Sequence, residues 1–86
     1  MSTARNLQNL GIKLKTIREH LGYTQEEMAV AVGKRGKSRR SRIHEWENGL
    51  RKPDLICLLA CARLVGISTD VLLDDELDLD LATGKA

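Results

Sequence analysis

Apolar residues near the start of the chain return every three or four positions: Leu7, Leu10, Leu14, Ile17 and Leu21. That spacing lays one stripe along an amphipathic helix, with Lys13, Lys15, Arg18 and Glu19 on its other faces. Gly22, directly after Leu21, is a stop signal. A second helix of about nine residues opens at once in "TQEEMAVAVG". Thr24 stands at its N-cap, and Glu27 three residues later completes a capping box. Glu26 and Glu27 also suit the positive end of the helix dipole. Met28, Ala29 and Val32 form its buried side, and Gly33 ends it.

The pattern then breaks. Lys34, Arg35, Lys37, Arg39, Arg40 and Arg42 crowd one short stretch, interrupted by Gly36 and Ser38. Ser38 can cap a third helix, "RRSRIHEWEN", that stops at Gly49. Ile43 and Trp46 face inward on it, with His44 a further inward candidate. "LRKPD" reads as a loop, and Pro53 fits the first turn of a fourth helix ending at Gly66. "ISTDVLL" reads as a short fifth helix behind Ser68. In the remaining stretch Leu77, Leu79 and Leu81 alternate with acids. Such alternation suits a strand, but the acid density between Asp74 and Asp80 favours a frayed or partner-dependent tail. No internal repeat is present.

Composition sharpens this picture. At 86 residues the chain fits one small domain with a thin core. One Trp, one Tyr and no Phe mean that the core is aliphatic, which suits helix packing. Net charge is only +2, but residues 1–52 carry +7 and residues 53–86 carry −5. A split of this kind points to a polyanion-binding front and a differently employed back. The N-terminus lacks the apolar core of a signal peptide. The segment from Leu55 to Val65 is too short to span a bilayer and contains Arg63. A reducing, cytoplasmic setting with no membrane role is expected. Cys57 and Cys61, four apart on one helix, then read as buried thiols, since only His20 and His44 stand beside them as extra ligands. No metal or other cofactor is expected. No nucleophile–base pairing, Gly-rich phosphate loop or metal cluster supports an enzyme.

Taken in order, "LKTIREHLGYTQEEMAVAVG…RIHEWENGLRKPDLICLLACARLVGIS" resembles the helix-turn-helix domain of Cro/phage-repressor and Xre-type regulators. The resemblance covers roughly residues 10–73. It implies an all-α, compact five-helix bundle, lambda-repressor-like, over residues 1–73, with residues 74–86 as an acidic C-terminal tail. It implies a sequence-specific DNA-binding regulator, most naturally a repressor on a palindromic operator, bacterial or encoded by a phage or plasmid. Carried over by position, Arg40, Ser41 and Glu45 match base-reading residues, flanked by Arg39 and Arg42, which reach bases or phosphates. Gln25, Asn48, Arg51 and Lys52 match phosphate contacts. Arg18 and Glu47 match a structural ion pair. The chain departs from the pattern between Gly33 and Trp46, where about four extra residues enlarge the turn. That insertion adds charge, and Arg35 and Lys37 are expected on phosphates.

The physics of the residues points the same way. An exposed helix fits the major groove, and cations beside it neutralise phosphates and release counterions. A charge run is in general a solvated loop; its place ahead of a recognition helix favours DNA contact here. Glu45 keeps two readings, acceptance from a cytosine N4 or pairing with a nearby Arg. Trp46 reads as core.

The fourth helix is apolar on more than one side. Leu55, Leu58, Leu59, Ala62 and Val65 make one buried face, yet Ile56, Ala60 and Leu64 make another. In so small a domain the second stripe needs cover. A homodimer through Ile56, Ala60 and Leu64 is expected, with the tail folding back within one chain as the rival. A second class of function is an antitoxin-type regulator that also binds a partner protein through its acidic tail.

Overall fold

The computed structural model describes residues 7–74 and 77–79. Helices α1 (Leu7–Leu21), α2 (Gln25–Ala31), α3 (Arg39–Glu47), α4 (Leu55–Val65) and α5 (Thr69–Leu73) follow one another, with no strand among the described residues. Leu81, Asp75, Glu76 and Asp80 of the expected tail lie outside those residues. The core is aliphatic apart from Trp46, Met28 and two thiols: Leu10, Leu14 and Ile17 from α1, Met28 and Ala29 from α2 with Val32 beyond it, Ile43 and Trp46 from α3, Cys57, Leu58, Cys61 and Ala62 from α4, and Leu72.

Helix ends follow local chemistry. Thr24 Oγ1 accepts from the Glu27 amide at 3.0 Å, and the Glu27 carboxylate accepts from the Thr24 amide at 2.8 Å. The box satisfies two amides that a helix start leaves unpaired. The α-helix that follows is seven residues, shorter than the expected nine, because the chain turns out at Val32. Ser38 and Ser68 occupy N-cap positions, but neither side chain makes a capping hydrogen bond. Pro53 lies one step before the cap rather than in the first turn. Asp54 is the cap, and its carboxylate accepts from the Cys57 amide at 2.9 Å.

Helices α1 and α3 cross closely because Gly11 has no side chain. A Cβ there would stand 2.6 Å from the main-chain oxygens of both Trp46 and Glu47. Beside this crossing, Arg18 Nε donates to Glu47 at 2.6 Å and Arg18 Nη2 to the other carboxylate oxygen at 3.2 Å. Arg18 Nη1 also reaches the Tyr23 carbonyl. Glu47 is buried, so this fork and the Gln25 amide answer its charge. The Glu47 carboxylate raises the Arg18 guanidinium above its ordinary value.

The C-terminal segment is tied down by a lysine. Lys13 Nζ donates to the carbonyls of Val71, Asp74 and Leu77, at 2.6, 3.0 and 2.8 Å. Those carbonyls belong to the last turn of α5 and the segment after it, where a cation is favourable. Leu79 then packs against the core while Leu77 stays exposed.

Helix α4 presents a different face from the one expected. Its buried residues are Cys57, Leu58, Cys61 and Ala62. Leu55 is 76% exposed and Leu59 is also outward, so neither belongs to the inner face. The inward arc is rotated toward the cysteines, with Cys57 Sγ against the Val32 carbonyl at 3.6 Å. At 3.6 residues per turn this puts Ile56 opposite the core, 74% exposed. Ala60 and Leu64 are half-buried flanks. No described helix is long and apolar enough to cross a membrane.

Candidate nucleic-acid interface

Helix α3 is polar except for its anchors. Ile43, Trp46 and Glu47 point inward, and everything else borders solvent. Arg40, Ser41, His44 and Asn48 are exposed, with Arg42 and Glu45 half-exposed beside them. Positions 41, 44, 45 and 48 form one outward face, which Arg40 and Arg42 flank. His44 therefore faces out, against the inward option. The spacing from Trp46 already implies this, since a residue two positions before an inward Trp stands well off the core side. The Asn48 amide donates to the His44 carbonyl at 2.8 Å and lies 3.4 Å from the ring Nδ1. Asn48 thus finishes the helix with its own side chain.

The turn between α2 and α3 spans residues 32–38. Gly33 and Gly36 have φ of 89° and 93°, a region that other residues enter only with strain. These two reversals let the enlarged turn fold without a core of its own. Lys34 is drawn inward from it. Its ammonium pairs with Asp54 at 2.9 Å and lies 5.7 Å from the centre of the Trp46 ring. Lys34 thereby joins the turn to the start of α4 through an ion pair and a cation–π contact. Arg39, expected beside the base-reading residues, turns instead to Glu26, with Nε donating at 2.7 Å and Nη2 closing the fork. Its position, one turn before Ile43, lies toward the inner side of α3, which explains the choice.

Gln25, expected on a phosphate, stands at the first position of α2, where its amide donates to Glu47 at 3.2 Å. Its carboxamide lines an open groove of about 670 Å³ between α1, the start of α2 and the end of α3, together with Lys15, Thr16, Arg18, His44 and Asn48. Glu45 and Arg51 form the pair that was one of Glu45's two readings, with Arg51 Nε donating at 2.7 Å. Among the described residues, Arg35, Lys37, Arg40, Arg42 and Lys52 have no ion-pair partner. These cations stand in the turn, on α3 and in the loop behind it.

Two thiols complete the inventory. Burial pushes Cys57 up to about 11 and Cys61 to about 12, so both stay protonated at neutral pH. No group of three or more His, Cys, Asp or Glu among the described residues is placed to hold a metal ion.

Comparison with known proteins places this geometry in context. A family model described as helix-turn-helix matches residues 14–72. The restriction-modification controller protein C.AhdI from Aeromonas hydrophila is 28% identical with a TM-score of 0.64, covering 78% of this chain and 96% of its own. The P22 c2 repressor, solved in complex with a synthetic operator, is 26% identical with a TM-score of 0.67, covering 80% and 98%. A chain of the SinR–SinI complex is 25% identical with a TM-score of 0.65, covering 78% of this chain and 62% of its own. No curated protein sequence matches.

Proposed function

The chain belongs to the helix-turn-helix family of Xre/Cro-type regulators, and we propose that it represses transcription by binding a palindromic DNA operator as a homodimer. The observation that carries this reading is the outward face of α3. A helix held to the core by only Ile43, Trp46 and Glu47 offers its remaining surface to a partner. That surface is polar, is flanked by uncompensated cations and fits the width of a major groove.

In this reading Arg40, Ser41 and Glu45 reach base edges, with His44 on the same face, while Arg42 stands between groove and backbone. Arg35, Lys37 and Lys52 neutralise phosphates, and Gln25 and Asn48 donate to them from the two walls of their shared groove. Arg39 braces α2 against α3 through Glu26. The P22 c2 repressor, similar over nearly its whole length, was solved on an operator, which supports the same use of this chain.

The second copy docks on α4. Ile56, Leu59, Ala60, Arg63 and Leu64 line a shallow, mainly apolar groove, and Leu55 extends the exposed apolar surface. Two-fold symmetry then sets two α3 helices about one DNA turn apart. The similarity to a chain of the SinR–SinI complex supports a second reading, in which this chain also binds another protein. A dimeric mass for the purified chain decides for the homodimer.

Substitution on two surfaces tests the proposal. Replacing Arg40 and Ser41 with Ala is expected to abolish preference for the operator while leaving non-specific DNA binding intact. Charge reversal at Arg35 and Lys37 is expected to weaken all sequences alike and to flatten the dependence of log affinity on log salt by about one per cation lost. Binding preference and salt slope that survive both sets of changes contradict the reading.

A further inference from the structure

The ion pair between Glu45 and Arg51 is an odd feature for a surface meant to meet a polyanion. A bare carboxylate on the reading face repels phosphate, and an exposed pair adds little to stability. Both side chains are partly open to solvent, at 34% and 51% exposure. Arg51 comes from the loop after α3, six residues on, and donates through Nε alone, at 2.7 Å. Its Nη1 and Nη2 groups keep their donors, arranged along the other edge of the guanidinium. Glu45 Oε1 takes that bond, which leaves Oε2 of the partly exposed carboxylate as a further acceptor.

From this juxtaposition we propose that Glu45 and Arg51 act as one base-reading unit, selective for a C·G base pair in the major groove. The inference rests on the major-groove reading of α3. A C·G pair displays one amino donor, cytosine N4, beside two acceptors, guanine O6 and N7. The unit displays a carboxylate acceptor beside a row of guanidinium donors. Glu45 Oε2 accepts from cytosine N4, and the Nη edge of Arg51 donates to guanine. The Nε–H bond keeps the two groups side by side and offsets the carboxylate's charge as it enters the groove. Arg51 is thus both a reader and the positioning residue for Glu45, a different task from the phosphate contact that its place in the sequence implies. A·T pairs mismatch the unit in either orientation, because adenine N6 lies between two acceptors, its own N7 and thymine O4, and never beside two in a row.

The test uses the full chain on the operator that it selects from a random duplex pool, with that operator substituted at every base pair in turn. Glu45→Gln, Arg51→Met and the double variant are compared with the natural chain, and thermal unfolding confirms that each folds. For the natural chain, replacing one C·G pair is expected to cost about 5- to 150-fold in affinity. Each single variant is expected to erase that preference at that same pair, with the double variant no worse than either single, since the two side chains work together. If Arg51→Met weakens every sequence equally and keeps the preference, Arg51 is a phosphate contact and the proposal fails. If Glu45→Gln strengthens every sequence equally, Glu45 is only a repulsive charge and the proposal fails. An operator with no C·G pair sensitive to these variants overturns the unit but leaves the regulator reading standing. A natural chain that selects no sequence overturns both.

Discussion

Gly11 shows how much one hydrogen atom decides here. In a helix interior, Gly→Ala ordinarily stabilises by about 1 kcal/mol through propensity. At Gly11 the new Cβ meets two main-chain oxygens at 2.6 Å, and main chain cannot rotate away. The steric term outweighs propensity, so Gly11→Ala is expected to destabilise by about 1–3 kcal/mol in urea unfolding; a neutral or stabilising result contradicts the close crossing of α1 and α3. Nothing in the sequence around Gly11 signals this, because the obstructing atoms arrive from a segment 35 or more positions away. The same holds for Lys13, whose three carbonyl partners lie about 60 positions on. By contrast the Arg18–Glu47 pair was legible from the resemblance, and Trp46 from its spacing to Ile43. Side chains that answer a local rhythm are readable from sequence; those that answer a distant backbone are not.

Among the elements, α4 separates what local rules decide from what packing decides. Its existence and its end at Gly66 follow from the apolar run and the glycine. Its orientation does not, since nearly every position is apolar and many inward arcs satisfy the pattern equally. Packing broke the tie in favour of the two small thiols. The start of α4 depends on Asp54, which the Lys34 ammonium and the Cys57 amide hold down to about 2. A depressed carboxylate contributes stability above its unfolded value, near 3.8, and loses it as pH falls toward 2. Asp54→Ala is therefore expected to cost about 1 kcal/mol at neutral pH, the usual worth of a cap, with the half-exposed ion pair adding little. The difference from the natural chain should shrink between pH 4 and pH 2 in paired chemical unfolding curves. A difference that is constant with pH would mean that the charge on Asp54 contributes nothing. Helix α3 was legible in its caps and anchors, but its reading face was not fully so. The outward place of His44 follows from its spacing to Trp46, whereas the turn of Arg39 toward Glu26 does not, because its partner sits on α2 across the enlarged turn.

For the whole molecule, the division of charge in the sequence has a structural counterpart. Arg35, Lys37, Arg40, Arg42 and Lys52, all without an ion-pair partner among the described residues, surround α3, and Leu55, Ile56 and Leu59 expose apolar surface on α4. The apolar surface predicts assembly: Ile56→Asp is expected to convert a dimer to a monomer in sedimentation at tens of micromolar, with little loss of thermal stability, because Ile56 is exposed and outside the core. A dimer that survives the change places the contact elsewhere. In the proposed dimer, two α3 helices on one duplex gain affinity from effective concentration. The overall architecture was legible in full, as five helices in the expected order. The pairing of Glu45 with Arg51 was open, and only the fold of the loop after α3 brings the two together.

The central claim is that α3 reads DNA sequence, and selection from a random pool of duplexes tests it most directly. The predicted result is a two-fold symmetric consensus with half-sites about one helical turn apart, bound with an affinity that falls steeply as salt rises. A pool that remains random after repeated rounds, despite a folded protein, would contradict the account.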